Sequence, residues 1–392
     1  MRKSLAKLAL ATALTTSLVS GAAQAETVDV GLILSLSGAG AVLGTEMQKG
    51  ADLALEMTGG KLGGQEARFI YEDDQRKPDV GKTAAEKLTR SEEVDFIIGP
   101  SYSNVMMAVQ APIVRTGTIL ISPNPAPGEL AGAGCNENYF SVPFQNDQPS
   151  EALGLYMNDK GITKVFVVVP NYQAGKDVVD GFKRTFKGEI VSELYTPLEQ
   201  TDFSAEMTQI KASAPEAVLA FMPGGLGVQF VKQYDQAGLK SQADLYTVFT
   251  VFNGVSLDAI GPAADGVFSV DQWTYDLDNP ANKEFVAAYS KKYGSLPSNF
   301  AAMAFDAVRL IDGSITAAGG VDDMDAVRRA MKAASFQSVR GDFAFNTNQH
   351  PIHSMHIARV GKDEATGGLA VRKEATIVDK MADSYAAECP MQ

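Results

Sequence analysis

Only two cysteines and three histidines occur in 392 residues, and their placement leaves little chemistry to build from them. Neither Cys135 nor Cys389 has a histidine neighbour in sequence. The G-x-S-x-G elbow that exposes a nucleophilic serine is absent. The three histidines fall together in His350-Pro351-Ile352-His353-Ser354-Met355-His356. A helix would group them on one face, but Pro351 opposes a helix. A strand turns His353 away from the other two. No cysteine or acidic cluster nearby completes a metal set. Solvated strand and turn residues are the expectation, with metal binding the lesser alternative. The chain shows no catalytic constellation, and it implies no cofactor.

Long apolar runs are missing beyond the N-terminus. The stretch Val165-Phe166-Val167-Val168-Val169 has the length of a buried strand, not of a membrane span. The N-terminus itself is different. Met1, Arg2, Lys3 and Lys7 make a basic start, an apolar run covers 8–19, and Ala23-Gln24-Ala25 precedes Glu26. That order reads as a secretory signal peptide, residues 1–25, cleaved after Ala25 into a periplasmic space. The alternative is a membrane anchor, for which the run is short. No lipidation cysteine follows the run. An exported chain meets no ATP or NAD pool, which excludes most chemistry common to α/β chains of this size. In an oxidising compartment the even cysteine count suggests a disulfide between Cys135 and Cys389; two separate thiols are the alternative.

Basic residues are in deficit: the formal charge is −13, and −16 without Arg2, Lys3 and Lys7. An acidic surface argues against nucleic acid and anionic membrane as partners. It says little about a small ligand. The length suits two domains.

What is present is an alternation of strands and helices. Strands are expected at 28–34, 68–71, 96–98 and 118–121, with helices from about 45, at 80–89 and at 105–114. The alternation resumes with strands at 165–169, 190–195, 218–221 and 246–248 and helices at 176–186, 204–211 and 228–236. This pattern predicts an α/β fold with parallel sheets covered on both faces. The two stretches look like two copies of one doubly wound plan, each its own lobe, joined by the polar segment 141–148. Later helices at 282–293, 301–316 and 324–333 have no sheet of their own and are expected to return to the first lobe. Segments 342–345 and 354–360 alternate as a hairpin would.

Gly38-x-Gly40-x-x-x-Gly44 follows the first strand, but its spacing misses the dinucleotide fingerprint by one residue. A tight turn that aims a helix is the expectation. Asp73-Asp74 lies at a strand end, and Asp322-Asp323 suits helix capping. One set rises above these. Ile98-Gly99-Pro100-Ser101-Tyr102-Ser103-Asn104 follows a buried strand and opens a helix, and Ile121-Ser122-Pro123-Asn124-Pro125-Ala126 follows the next strand. Ligands of open α/β sheets bind beyond the carboxyl ends of the strands. Free N–H groups at a helix start, with the Ser103 hydroxyl, suit a carboxylate. Ordinary N-capping by Ser103 is the alternative, and both can hold.

Several pieces, taken in order, resemble the leucine/isoleucine/valine-binding branch of the extracytoplasmic solute-binding proteins of ABC importers. They are Leu36-Ser37-Gly38 with Gly44 and Gly50-Ala51; Tyr71-Glu72-Asp73-Asp74 with Pro78; Ile98-Gly99-Pro100 with Ser103; Ser122-Pro123 with Glu129-Leu130; Asn146-Asp147-Gln148; and Ala237-Gly238-Leu239-Lys240. The resemblance covers nearly the whole chain after residue 25. It implies a type I periplasmic-binding-protein fold, a flytrap of two doubly wound parallel-sheet lobes joined by a three-stranded hinge. The crossings would fall near Val142, Val270 and Ile357. Lobe 1 would hold 26–143 plus 271–356, and lobe 2 would hold 144–270 plus 357–392.

The resemblance also implies a function: a monomer captures a small solute and delivers it to an inner-membrane ABC permease. A ligand-presenting sensor is the alternative of another class. By the same resemblance Ser103 holds the ligand carboxylate, Asn124 lines the pocket and Phe300 forms an aromatic wall. Departures stand beside these. A carboxylate-binding threonine becomes Ala126, and the acidic partner of an α-ammonium becomes Thr250. Two pocket tyrosines become Leu43 and Ala174, with Tyr172 close enough to substitute. Tyr102, Asn104, Gln145 and Gly225 complete the candidate set. A buried ammonium needs a charge partner or several acceptors. The expected ligand is therefore a small carboxylate without an amine, an aromatic acid first and a branched-chain amino or keto acid second.

Overall fold

The computed structural model describes residues 27–248, 252, 254–363 and 367–391. The expected signal peptide, residues 1–25, and Thr250 lie outside the described residues. Two sheets organise the rest. The first contains β1 (Val28–Leu34), β2 (Lys61–Leu62), β3 (Gln65–Asp73), β4 (Phe96–Ile98), β5 (Ile119–Ser122) and β6 (Tyr139–Ser141). Its order is β2-β3-β1-β4-β5-β6, parallel throughout except for the short β2–β3 hairpin. The second contains β7 (Lys164–Pro170), β8 (Glu189–Thr196), β9 (Ala217–Ala220), β10 (Asp244–Val248) and β11 (Phe268–Asp271). Its outer side adds β12 (Ala344–Phe345), β13 (Pro351–Lys362) and β14 (Leu369–Met381). The parallel part runs β11-β10-β9-β7-β8, and β13 and β14 extend it in antiparallel fashion.

Burial on two faces explains the apolar strand runs. Val30, Leu32 and Leu34 of β1 enter one core, while Ile33 enters the core on the opposite face. In β7, Phe166 and Val168 face one way and Val165, Val167 and Val169 the other. That is the period-two alternation of a central parallel strand covered by helices. The late helices Pro280–Tyr293, Asn299–Ala318 and Met324–Lys332 do return to the first sheet, where Phe285, Tyr289, Ile311 and Val327 share a core with β1. Gly50 makes a close approach to one of them. A Cβ built there would lie 2.0 Å from the Ala301 carbonyl oxygen, so only glycine lets the helix Ala41–Met57 meet Asn299–Ala318.

The chain passes between the sheets three times. After β6 it enters the helix Gln148–Asp159, whose Ala152, Leu153 and Met157 pack on the second sheet. After β11 it returns, with Trp273 and Leu277 in the core of the first. Gln349 accepts from the Ser141 N–H at 3.1 Å, and β13 then pairs with β11 from His356 to Arg359. A disulfide joins Cys135 to Cys389, with Cα atoms 5.7 Å apart.

Two readings from sequence need correction. The histidines are not solvated: His350, His353 and His356 are all buried. They line the third passage, where Nδ1 of His350 meets the Asn348 carbonyl, Nε2 of His353 meets Gln148 and Nδ1 of His356 meets Thr376. No group of three metal-ligating side chains forms among the described residues. The segment 141–148 is not all linker either, because Gln148-Pro149 opens a helix. Proline suits a first turn, where its missing N–H costs nothing.

Candidate ligand-binding cleft

In each sheet the chain reverses its winding direction beside the first strand. β1 leads outward to β3 while its other neighbour, β4, leads to β5; likewise β7 leads to β8 and its neighbour β9 to β10. Loops beyond the carboxyl ends of such strand pairs diverge and leave a crevice. Here the two crevices face each other. Between them lies a cavity of about 350 Å³ of atom-free space, lined by Leu43, Tyr102, Ser103, Asn124, Pro125, Phe144, Asn146, Tyr172, Ala174, Phe221, Pro223 and Phe300.

The wall is mostly apolar. Phe144, Phe221, Phe300, Leu43 and the prolines give it aromatic and aliphatic surface, and Tyr172 stacks on Phe221 with ring centroids 6.1 Å apart. The polar groups gather at one side. The helix Ser103–Val114 begins at the cavity, and its N-cap residue Tyr102 makes no side-chain capping bond. Ser103 is thus the first helical residue and not the cap, and its hydroxyl accepts from Asn146 Nδ2 at 3.2 Å. The helix ladder begins with the Val105 N–H on the Tyr102 carbonyl, so the N–H groups of Ser103 and Asn104 precede it, and the helix start favours negative charge. Asn124 donates from Nδ2 to the Ser101 carbonyl at 2.8 Å, which fixes its side chain at the rim. The phenol of Tyr102 is buried beside the Arg76 guanidinium, and burial pushes its pKa up. Among the described residues, no carboxylate lines the cavity.

Contacts between the lobes close the space. The Arg76 guanidinium lies over the Tyr102 ring, 5.4 Å from its centroid, and pairs with Glu199 from the other lobe. Gly224 turns the chain after β9 with φ +63, and a Cβ there would sit 3.2 Å from Leu43 and 3.4 Å from the Tyr102 oxygen.

A profile of the periplasmic binding protein family matches residues 27–365. The chain belongs to that family. The Leu/Ile/Val-binding protein homolog 6 of Brucella melitensis is 30% identical over 390 residues, spanning 96% of this chain and 98% of that protein. A solute-binding protein of an ABC transporter from R. palustris, solved with benzoate, is 32% identical with TM-score 0.87, covering 93% of this chain and all of that one. A second, from Rhodopseudomonas palustris BisB5 with 3,4-dihydroxybenzoic acid, is 28% identical with TM-score 0.85 over 91% of this chain and 99% of that one. The Streptococcus pneumoniae branched-chain amino acid protein LivJ, solved with isoleucine, shares the fold with TM-score 0.78 at 24% identity, over 89% of this chain and 100% of that one. The protein is thus an ABC-transporter substrate-binding protein of type I periplasmic fold, a family of solute binders that work with a permease.

In this binding protein Leu43, Tyr102, Ser103, Asn124, Tyr172, Ala174 and Phe300 come together around one cavity, although they lie far apart in sequence. Other expected residues stand behind the wall. Asn104 turns away to donate to the Arg76 carbonyl at 3.1 Å. Ala126 is fully buried, and its N–H donates to Asn146. Gln145 is spent within its own turn, with Nε2 on Asp147 at 2.8 Å. Gly225 opens the helix Gly225–Gln236 just past the lining residue Pro223. Pro125, Phe144, Asn146, Phe221 and Pro223 line the cavity without having been named as candidate site residues from sequence. Phe221 and Pro223 carried a usable signal, since they directly follow β9. Asn146 stood in the Asn146-Asp147-Gln148 piece of the resemblance but was given no role, and Phe144, in an irregular passage, carried no signal.

Proposed function

We propose that this binding protein captures a small aromatic carboxylate of the benzoate type between its lobes and delivers it to an inner-membrane permease. One observation carries the reading. The cavity pairs an aromatic, apolar wall with the Ser103 hydroxyl at a helix start, and no acidic side chain lines it among the described residues. An aromatic acid fills such a wall and places its carboxylate on the helix start. The benzoate-bound neighbour at 32% identity supports the same choice. Branched-chain amino or keto acids are the second reading, favoured by the name of the Brucella relative. An amino acid would have to bury its ammonium where the described lining offers no charge partner.

The working division is 26–143 with 271–356 and 144–270 with 357–392. The three chain passages support it, and closure of the lobes buries the ligand. The protein acts as a monomer in the periplasm after cleavage behind Ala25.

Thermal-shift measurements with benzoate, 4-hydroxybenzoate, leucine, isoleucine and the keto acid of leucine test the ligand. A ligand at a hundred times its Kd stabilises by about 2.7 kcal/mol. Benzoate-type acids are expected to raise Tm, and Ser103→Ala to weaken their binding by about 1–3 kcal/mol, the cost of a charge-assisted hydrogen bond. Stabilisation by leucine with none from the aromatic acids overturns the reading.

A further inference from the structure

Asn146 stands in the first passage between the lobes and touches three separate elements. Its Oδ1 accepts from the Ala126 N–H at 2.9 Å, in the turn after β5. Its Nδ2 donates to the Ser103 hydroxyl oxygen at 3.2 Å and to Asp177 Oδ2 at 2.7 Å. Asp177 belongs to the helix Gln173–Thr185, on the second sheet, and its other oxygen accepts from Gln173 Nε2 at 2.8 Å. Ser103, Asn146 and Asp177 are all buried.

These partners permit one orientation of the amide. Turned over, its oxygen would face the Asp177 carboxylate and its NH2 would face the Ala126 N–H, leaving acceptor against acceptor and donor against donor. Asn146 is therefore a donor to Ser103. With its acceptor side occupied, the serine hydroxyl has its own proton to give. A donor hydroxyl beside the free N–H groups of a helix start selects a ligand group that only accepts, which is what a carboxylate does and a carboxamide does less well.

We infer that Asn146 and Asp177 are positioning residues: Asp177 orients the Asn146 amide, and the amide fixes Ser103 as a hydrogen-bond donor toward the ligand. The inference rests on the reading that Ser103 holds the ligand carboxylate. It adds a link between lobes, because Ser103 hangs from the first sheet and Asp177 from the second, with the hinge amide between them. Asp177 has no direct place in the cavity lining. Its carboxylate is taken up by Asn146 and Gln173, so it is an orienting group and not a counter-ion for a ligand amine. Asp147, Asp180 and Tyr172 are the other titratable groups around it.

The test is calorimetric titration of the mature protein with benzoate, benzamide and leucine at pH 8, for wild type, Ser103→Ala, Asn146→Ala, Asp177→Ala and Asp177→Asn. Ligand-free melting curves check folding. Asn146→Ala and Asp177→Ala are each expected to weaken carboxylate binding roughly tenfold and to lower the preference for benzoate over benzamide. Asp177→Asn keeps an oxygen for Asn146 to donate to, and is expected to recover most of both. Asn146→Ala reads the same effect if Asp177→Ala does not fold. A loss on Ser103→Ala with none on Asn146→Ala or Asp177→Ala overturns this inference alone. So does a loss on Asp177→Ala that Asp177→Asn fails to restore. Binding that is indifferent to Ser103→Ala, or absent for both benzoate and leucine, overturns the carboxylate reading and this inference with it.

Discussion

Ser103 could be singled out from sequence because chemistry and position coincide there: a hydroxyl at a helix start, directly after a buried strand. Leu43 and Ala174 were reached only through the family resemblance, although each lies in the first turn of the helix that follows β1 or β7. Asp177 shows what sequence hides. It sits one turn into an ordinary helix, and only the packing of that helix against the hinge brings it to Asn146. Burial, with the nearby charges of Asp147 and Asp180, pushes its carboxyl up to about 7 even though Asn146 and Gln173 donate to it. An unfolded Asp titrates near pH 4. A carboxyl raised on folding contributes stability below its unfolded pKa and loses it as pH rises through the folded one. Relative to Asp177→Asn, the wild type is therefore expected to lose stability between about pH 4 and pH 7, at up to about 1.4 kcal/mol per pH unit, and to level off above that. Chemical denaturation of both proteins across that range measures it. A difference that stays constant with pH would show that Asp177 does not titrate in this window.

At the scale of elements, the central strands were legible because burial on both faces demands unbroken apolar runs, as in β1 and β7. β14 was not legible. Charged residues such as Arg372, Lys373 and Glu374 punctuate it, and its pairing with β13 is what holds it extended. The buried histidines of β13 were misjudged for a related reason, since the segments that cover them come from elsewhere in the chain. The helix pair at Gly50 belongs to this scale too. Gly50-Ala51 was visible as a motif, but its meaning was not: the missing Cβ is what admits the Ala301 carbonyl. Gly50→Ala is expected to push the two helices apart and cost about 1–3 kcal/mol by overpacking. Urea titration measures it. A variant as stable as wild type would mean that the helix Asn299–Ala318 can shift without loss.

For the whole molecule, the two sheets repeat one strand order, and the disulfide and the three passages hold the copies face to face. What keeps them closed over a ligand is a separate matter. The Arg76–Glu199 pair spans the mouth of the cleft, with Arg76 almost buried against Tyr102 and Glu199 largely in solvent. Glu199 is the counter-charge that pairs with this guanidinium across the lobes. A contact made only on closure stabilises the closed form and leaves the separated lobes unaffected. Exposure of Glu199 limits the gain to about 1 kcal/mol or less. Glu199→Gln is therefore expected to release bound ligand up to about fivefold faster while the ligand-free melting temperature holds. The difference should shrink as salt rises, because screening weakens an exposed partner first. Stopped-flow displacement at low and high ionic strength reads both effects. Equal release rates for the two proteins at low salt would show that closure is held by the ligand and the hinge alone.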